Sequence, residues 1–94
     1  MVTLCVLLWA KDGAVQALVE YEDEVLALRP DHGGRVVKRA RTLDDADAPT
    51  EVHLLQFPSE DALAAYLDDD RRPALTEARE QAIERTELYR VKLI

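Results

Sequence analysis

The chain has 94 residues, of which 48% are apolar and 33% charged, with a net charge of −7. That length holds one domain, residues 1–94, with no room for a second core, and the composition excludes a disordered chain. Met1 to Arg41 sets six basic against six acidic residues, and Thr42 to Ile94 sets six against thirteen, so the whole excess lies in the second part. An acidic surface repels phosphate, which argues against nucleic acid and anionic membranes as partners.

Val2 to Trp9 is apolar on both alternating faces, with Val2, Leu4, Val6 and Leu8 on one and Thr3, Cys5, Leu7 and Trp9 on the other. This is the pattern of a central strand covered on both sides. The run lacks the basic start of a signal peptide, and Lys11-Asp12 cut it short of a membrane span. A cytoplasmic protein is expected. Cys5 has no second cysteine to pair with and reads as a small buried hydrophobe. Asp12 is positioned to cap a helix through Gly13, and Val15, Leu18, Tyr21, Val25 and Leu28 form its apolar face. Glu20, Glu22, Asp23 and Glu24 fall largely on the other face, and Pro30 stops the helix.

Gly33-Gly34 marks a turn, and Arg35 to Arg41 follows as a strand whose charge suits an edge. The aspartate-rich stretch Thr42 to Thr50 reads as a polar hairpin loop, and Glu51 to Phe57 as the third strand. Ser59 is an N-cap, with Glu60 and Asp61 in the first turn where the helix dipole favours acids. Ala62, Leu63, Tyr66 and Leu67 supply its buried stripe, which Asp68 to Pro73 interrupts. A further helical segment is expected over Pro73 to Arg85, and a closing strand over Leu88 to Ile94.

The order β-α-β-β-α-β gives an α+β, ferredoxin-like antiparallel sheet with its helices on one face. The first and third strands are apolar on both faces, so the second face needs a cover that a single chain of this length does not supply. A homodimer is therefore expected, a dimeric α/β barrel closed through that face. Of the two alternating sets, Thr3, Cys5, Leu7 and Trp9 is the more mixed and suits the interface better.

Tyr21-Glu22, Val25-Leu26, His32-Gly33-Gly34-Arg35, Arg39, Val52, Phe57-Pro58-Ser59, Ala62, Tyr66, Leu75 and Arg79 together resemble a family of small uncharacterised bacterial proteins. That family belongs to the dimeric α/β-barrel superfamily, and the resemblance spans nearly the whole chain. Gly-Gly-Arg and Phe-Pro-Ser are its most specific parts. The superfamily includes muconolactone isomerase, antibiotic-biosynthesis monooxygenases and EthD-like proteins, while the family itself has no agreed reaction. Two positions depart from the pattern: Gln56 stands where members often have a carboxylate, and Arg71-Arg72-Pro73 where they often have an aromatic residue.

His32, before the glycine turn, and His53, mid-strand beside Leu55 and Phe57, are the candidates for acid–base chemistry. His32 equally suits a cap on the first helix's C-terminus, and His53 either lines a barrel lumen or sits satisfied in the core. Arg35, Arg39 and Arg41 are expected on one strand face, either holding a planar anion or shielding a sheet edge. Trp9, Tyr21 and Tyr66 either wall an aromatic pocket or pack as core. Arg79 is expected to pair with Glu20 or Glu24. No cofactor motif, metal-ligand spacing, phosphate loop or serine triad is recognisable. The expected function is binding of a small anionic or aromatic molecule by Trp9, Tyr21, Arg35, Arg39 and Tyr66, with His32 nearby. The alternative is a cofactor-independent monooxygenase or isomerase acting on a small phenolic or carboxylate substrate.

Overall fold

The doubly apolar opening run becomes β1, Val2–Ala10, which pairs antiparallel with a neighbour on each side. A computed structural model of the chain describes residues 1–45 and 47–94. Ala46, inside the aspartate-rich connection, lies outside the described residues. After β1 come α1 (Val15–Leu26), a 3₁₀ turn (Arg29–His32), β2 (Arg35–Arg41) and β3 (Glu51–Phe57). Helix α2 (Glu60–Leu67), a second 3₁₀ turn (Pro73–Leu75), α3 (Thr76–Ala82) and β4 (Ile83–Arg90) complete the chain. The antiparallel strands lie in the order β2-β3-β1-β4, the arrangement of a ferredoxin-like α+β fold.

Helices cover one face. There Leu4, Val6 and Leu8 of β1 pack with Leu55 and Phe57 of β3 against Leu18, Val25 and Leu63 of the helices, all buried. Each fully buried aliphatic or aromatic side chain contributes about 1.5–3 kcal/mol, so this layer dominates the stability. Thr3, Cys5, Leu7 and Trp9 point to the face that the helices leave open, together with Val52, Leu54 and Gln56 of β3, and all are half-buried.

Three local expectations change. The N-cap of helix α1 is Ala14, which makes no side-chain bond, because Gly13 at φ +74° turns the chain past Asp12 before the helix begins. The last helix stops at Ala82 and β4 starts at Ile83, five residues before the expected strand. Arg85 opposes Trp9 and Ile83 opposes the adjacent Ala10, so Glu84 is an extra residue and the segment pairs with β1 from Leu4 to Ala10. Arg35 does not share a face with Arg39 and Arg41. Val36 opposes Leu55 and Lys38 opposes the adjacent Leu54, so Val37 is an extra residue, a β-bulge that reverses the alternation beyond it.

The two most specific motifs of the sequence meet in space. Gly33 adopts φ +71°, and a Cβ there would lie 2.9 Å from the Pro58 ring. A Cβ on Gly34 would stand 2.6 Å from the Phe57 ring. Gly33 is needed for its left-handed backbone and Gly34 for its closeness to Phe57. Ser59 caps α2 as expected, its hydroxyl accepting from the Ala62 amide at 3.1 Å.

Candidate functional site

A cavity of about 220 Å³ lies between the sheet and the helices. Its walls are mainly apolar, from Leu4, Val6, Leu8, Leu55, Leu63 and Ile83, and its polar groups are Tyr21, Glu22, His53, Tyr66, Arg72, Arg79 and Thr86. Apolar walls with a few converging polar groups are the usual make-up of a small-molecule site.

Glu22 reaches the cavity because it stands four residues after Leu18 and three before Val25, on the buried stripe of α1. The residue is buried, yet its carboxylate takes no side-chain or backbone hydrogen bond among the described residues. Its nearest charged partner is His53, with Nδ1 4.0 Å from Glu22 Oε2. Burial is the main force that pushes the Glu22 carboxyl up to about 7. The nearby charge of Glu51 adds to this, while Arg39, Arg72 and Arg79 oppose it.

His53 is 1% exposed and its Nε2 lies 2.8 Å from Glu51 Oε1. Glu51 is itself buried, and Arg39 grips it with Nε at 2.7 Å from Oε1 and a second nitrogen at 3.1 Å from Oε2. Arg41 donates to the same carboxylate at 3.2 Å. Burial alone would raise the Glu51 carboxyl, but hydrogen bonds from Arg39, His53 and Arg41 hold it below its ordinary value. Burial lowers the His53 imidazole, against the pull of Glu51, so the ring is neutral at neutral pH. The result is a chain of contacts from the sheet edge, through Arg39 and Glu51, to His53 and Glu22 at the cavity wall. With a carboxylate fixing its Nε2, His53 presents Nδ1 toward Glu22.

Of the residues singled out in the sequence, Tyr21, His53 and Tyr66 line this cavity. His53 is on the helix-covered face and not on the open face where a barrel lumen would form. Arg39 stands behind Glu51, with its other nitrogen on Asp23 Oδ1 at 2.6 Å, and is committed to those two carboxylates. His32 lies outside the cavity lining, its Nε2 2.7 Å from Asp69 Oδ2 and its ring edge-on to Tyr66. Asp69 is held well below the usual carboxylate range by Arg71 and then by His32. Arg35 is exposed and opposes Gln56, on the other side of the sheet from Arg39. Trp9 is also on that side, under the Arg85 guanidinium at 4.5 Å, with Nε1 donating to the Asp47 carbonyl. The sheet therefore separates Trp9 from Tyr21 and Tyr66, and the three do not wall one pocket. Arg79 forms no ion pair with Glu20 or Glu24 among the described residues. It lies at the cavity and reaches Thr86 at 3.5 Å.

Glu22, Glu51 and Arg72 were not singled out for this site, though two of them carried a signal. Glu22 keeps the 3–4 residue spacing of the apolar stripe, and Glu51 extends the alternation of His53, Leu55 and Phe57 by one step. Nothing local marks Arg72, which comes to the site because the chain between α2 and α3 folds it over the Tyr66 ring at 5.0 Å.

The chain matches no family model and no curated protein. Solved structures share its fold. A protein of unknown function from Rhodopseudomonas palustris is 19% identical, with a TM-score of 0.79, over 99% of this chain and 82% of that one. An uncharacterized NIPSNAP domain protein from Burkholderia xenovorans is 18% identical, with a TM-score of 0.75, over 100% of this chain and 95% of that one. A protein from Bacteroides fragilis, described as dimeric and of ferredoxin-like fold and unknown function, is 12% identical. Its TM-score is 0.72, over 98% of this chain and 95% of that one. The structural neighbours are thus uncharacterised bacterial proteins with a ferredoxin-like fold.

Proposed function

We propose that this protein binds a small molecule with an apolar body and an anionic group in the cavity between the sheet and the helices. One observation carries this reading: an apolar cavity whose polar groups include two arginines, Arg72 over the Tyr66 ring and Arg79 beside Thr86, that form no ion pair among the described residues. Guanidinium groups pair bidentately with carboxylates, and the Tyr21 and Tyr66 rings suit a flat ligand. A cavity of about 150 Å³ accepts benzene, so a volume of about 220 Å³ suits a single substituted ring or a chain of similar bulk. A thermal-shift series with small carboxylates and phenols tests the reading. A true ligand at a hundred times its Kd adds about 2.7 kcal/mol, which moves the midpoint of a chain this size by several degrees. No shift with any carboxylate or phenol would remove the reading.

A second reading, a cofactor-independent enzyme acting on a small phenolic or carboxylate substrate, is favoured by Glu22 and His53 at the cavity wall. A carboxyl poised at about 7 suits a group that takes up and returns a proton near neutral pH. Hydrogen–deuterium exchange into a bound carboxylate, lost in Glu22→Gln, separates catalysis from binding alone.

The assembly we propose is a homodimer closed through the open face of Thr3, Cys5, Leu7 and Trp9. Leu7, Val52 and Leu54 stand there only half-buried, which supports a cover of matching apolar character. Covering the face buries on the order of 800 Å² per chain, the usual size of a stable interface. No helix among the described residues is long and apolar enough to cross a membrane.

A further inference from the structure

We infer that the cavity takes its anionic ligand together with one proton, which comes to rest on Glu22. This rests on the binding reading above and specifies how the site responds to the charge of what it binds. The charged groups around Glu22 pull in opposite directions, Glu51 favouring the protonated acid and Arg39, Arg72 and Arg79 the carboxylate. On β2 and β3, Arg39 and Arg41 are already matched to Glu51, and His53 between them and Glu22 is neutral. On α1 and α2, Tyr21 and Tyr66 are uncharged, their hydroxyls raised by burial. Besides Arg39, which is committed to Glu51 and Asp23, the cations that favour a charged Glu22 are Arg72, before α3, and Arg79, on α3, and only these two are open to a ligand in the cavity. An anion held by those two arginines removes their support for the Glu22 carboxylate and adds a like charge beside it. The apolar body of the ligand also displaces water from the cavity, which penalises a second charge further.

Both effects favour the protonated acid. The proton comes from the solvent and bonds to a Glu22 carboxylate oxygen, and no bond of the ligand is made or broken. Protonated Glu22 is then an O–H donor facing the cavity. The ligand class that fits is a small carboxylate on an apolar body, of which benzoate is the simplest aromatic member.

The test is calorimetric titration of the native chain and of Glu22→Gln with benzoate, in phosphate and in Tris, whose protonation heats differ. For the native chain at about pH 8 the heat differs between buffers by nearly one proton per benzoate, and at about pH 5.5 it does not. Its affinity falls about tenfold for each pH unit above about 7. Glu22→Gln binds with the same heat in both buffers and a flat profile. Native binding without a buffer difference at about pH 8, or a native pH profile kept by Glu22→Gln, overturns this inference and leaves the binding reading standing. No benzoate binding by either chain at any pH overturns the inference, and the binding reading falls with it when no other small carboxylate or phenol shifts the midpoint either.

Discussion

Glu22 and Gly34 show how single residues in this fold are held by opposite constraints, one electrostatic and one steric. The Glu22 carboxyl is raised from 4.5 in the open chain to about 7 in the folded one, so the folded state holds more protons between those values. Unfolding free energy therefore falls as pH rises from about 4.5 to about 7, and the loss is complete above that. His53 runs the other way: its folded value lies below 6.5, so its contribution weakens as pH falls below that value. Comparing Glu22→Gln with the native chain isolates the first slope. The variant gains on the native protein through that window, by at most about 3 kcal/mol, with a constant difference above it. Urea unfolding at several pH values measures this, and a difference independent of pH would mean that the carboxyl is not raised. At Gly34 the obstacle is the Phe57 ring, 2.6 Å from where a Cβ would stand. Gly34→Ala should cost about 1–3 kcal/mol, the range for overpacking a filled site, with the loss read from the denaturation midpoint.

At the scale of elements, β2 is held to β3 by more than its ladder. Arg39 and Arg41 both donate to the buried Glu51 carboxylate, so removing the main donor leaves a buried charge poorly matched. Arg39→Met is expected to cost about 3 kcal/mol, the lower end of the range for a broken buried pair because Arg41 still contributes. Pairing it with Glu51→Gln should recover part of that loss, and a double-mutant cycle by urea unfolding gives the coupling. The elements themselves were largely legible. Two-residue alternation in Val2 to Trp9, 3–4 residue spacing in α1, and the Ser59 cap are local signals, and each was realised locally. The β2 bulge was not legible, because Val36 and Val37 are equally suited to a strand and only the pairing with β3 decides which is extra. The start of β4 was hidden in the same way, since Ile83 to Glu87 suits a helix by composition and becomes strand by pairing with β1. The site was half legible: Tyr21, Tyr66 and His53 followed from periodicity, whereas Arg72 depends on a long-range fold of the chain.

For the whole molecule, one sheet serves two purposes on its two faces. The helix side holds the cavity, and the open side holds the surface proposed to meet a second copy. A substitution at an odd position of β1 should therefore affect assembly first, and one at an even position the core and cavity. Leu7→Asp places a charge on the open face, where it is half-buried in the isolated chain and fully buried in a dimer. Sedimentation at micromolar concentration should give a dimer for the native chain and a folded monomer of 10.6 kDa for the variant. A native monomer would remove the dimer proposal and leave the cavity untouched.

The extra residue in β2 has a consequence for how this chain tolerates change. If Val37 were paired opposite Leu54 and no residue bulged, every side chain from Lys38 onward would exchange sides of the sheet, with the sequence unchanged. Arg39 and Arg41 would swing outward, Lys38 and Ala40 inward, and Glu51 would be stranded beneath the helices with His53 as its one remaining partner. The bulge thus acts as a phase marker for the buried charges. Deleting Val37 would remove the bulge and leave every pair from Lys38 to Arg41 in place, whereas closing the bulge with Val37 retained would invert the chemistry of an entire edge.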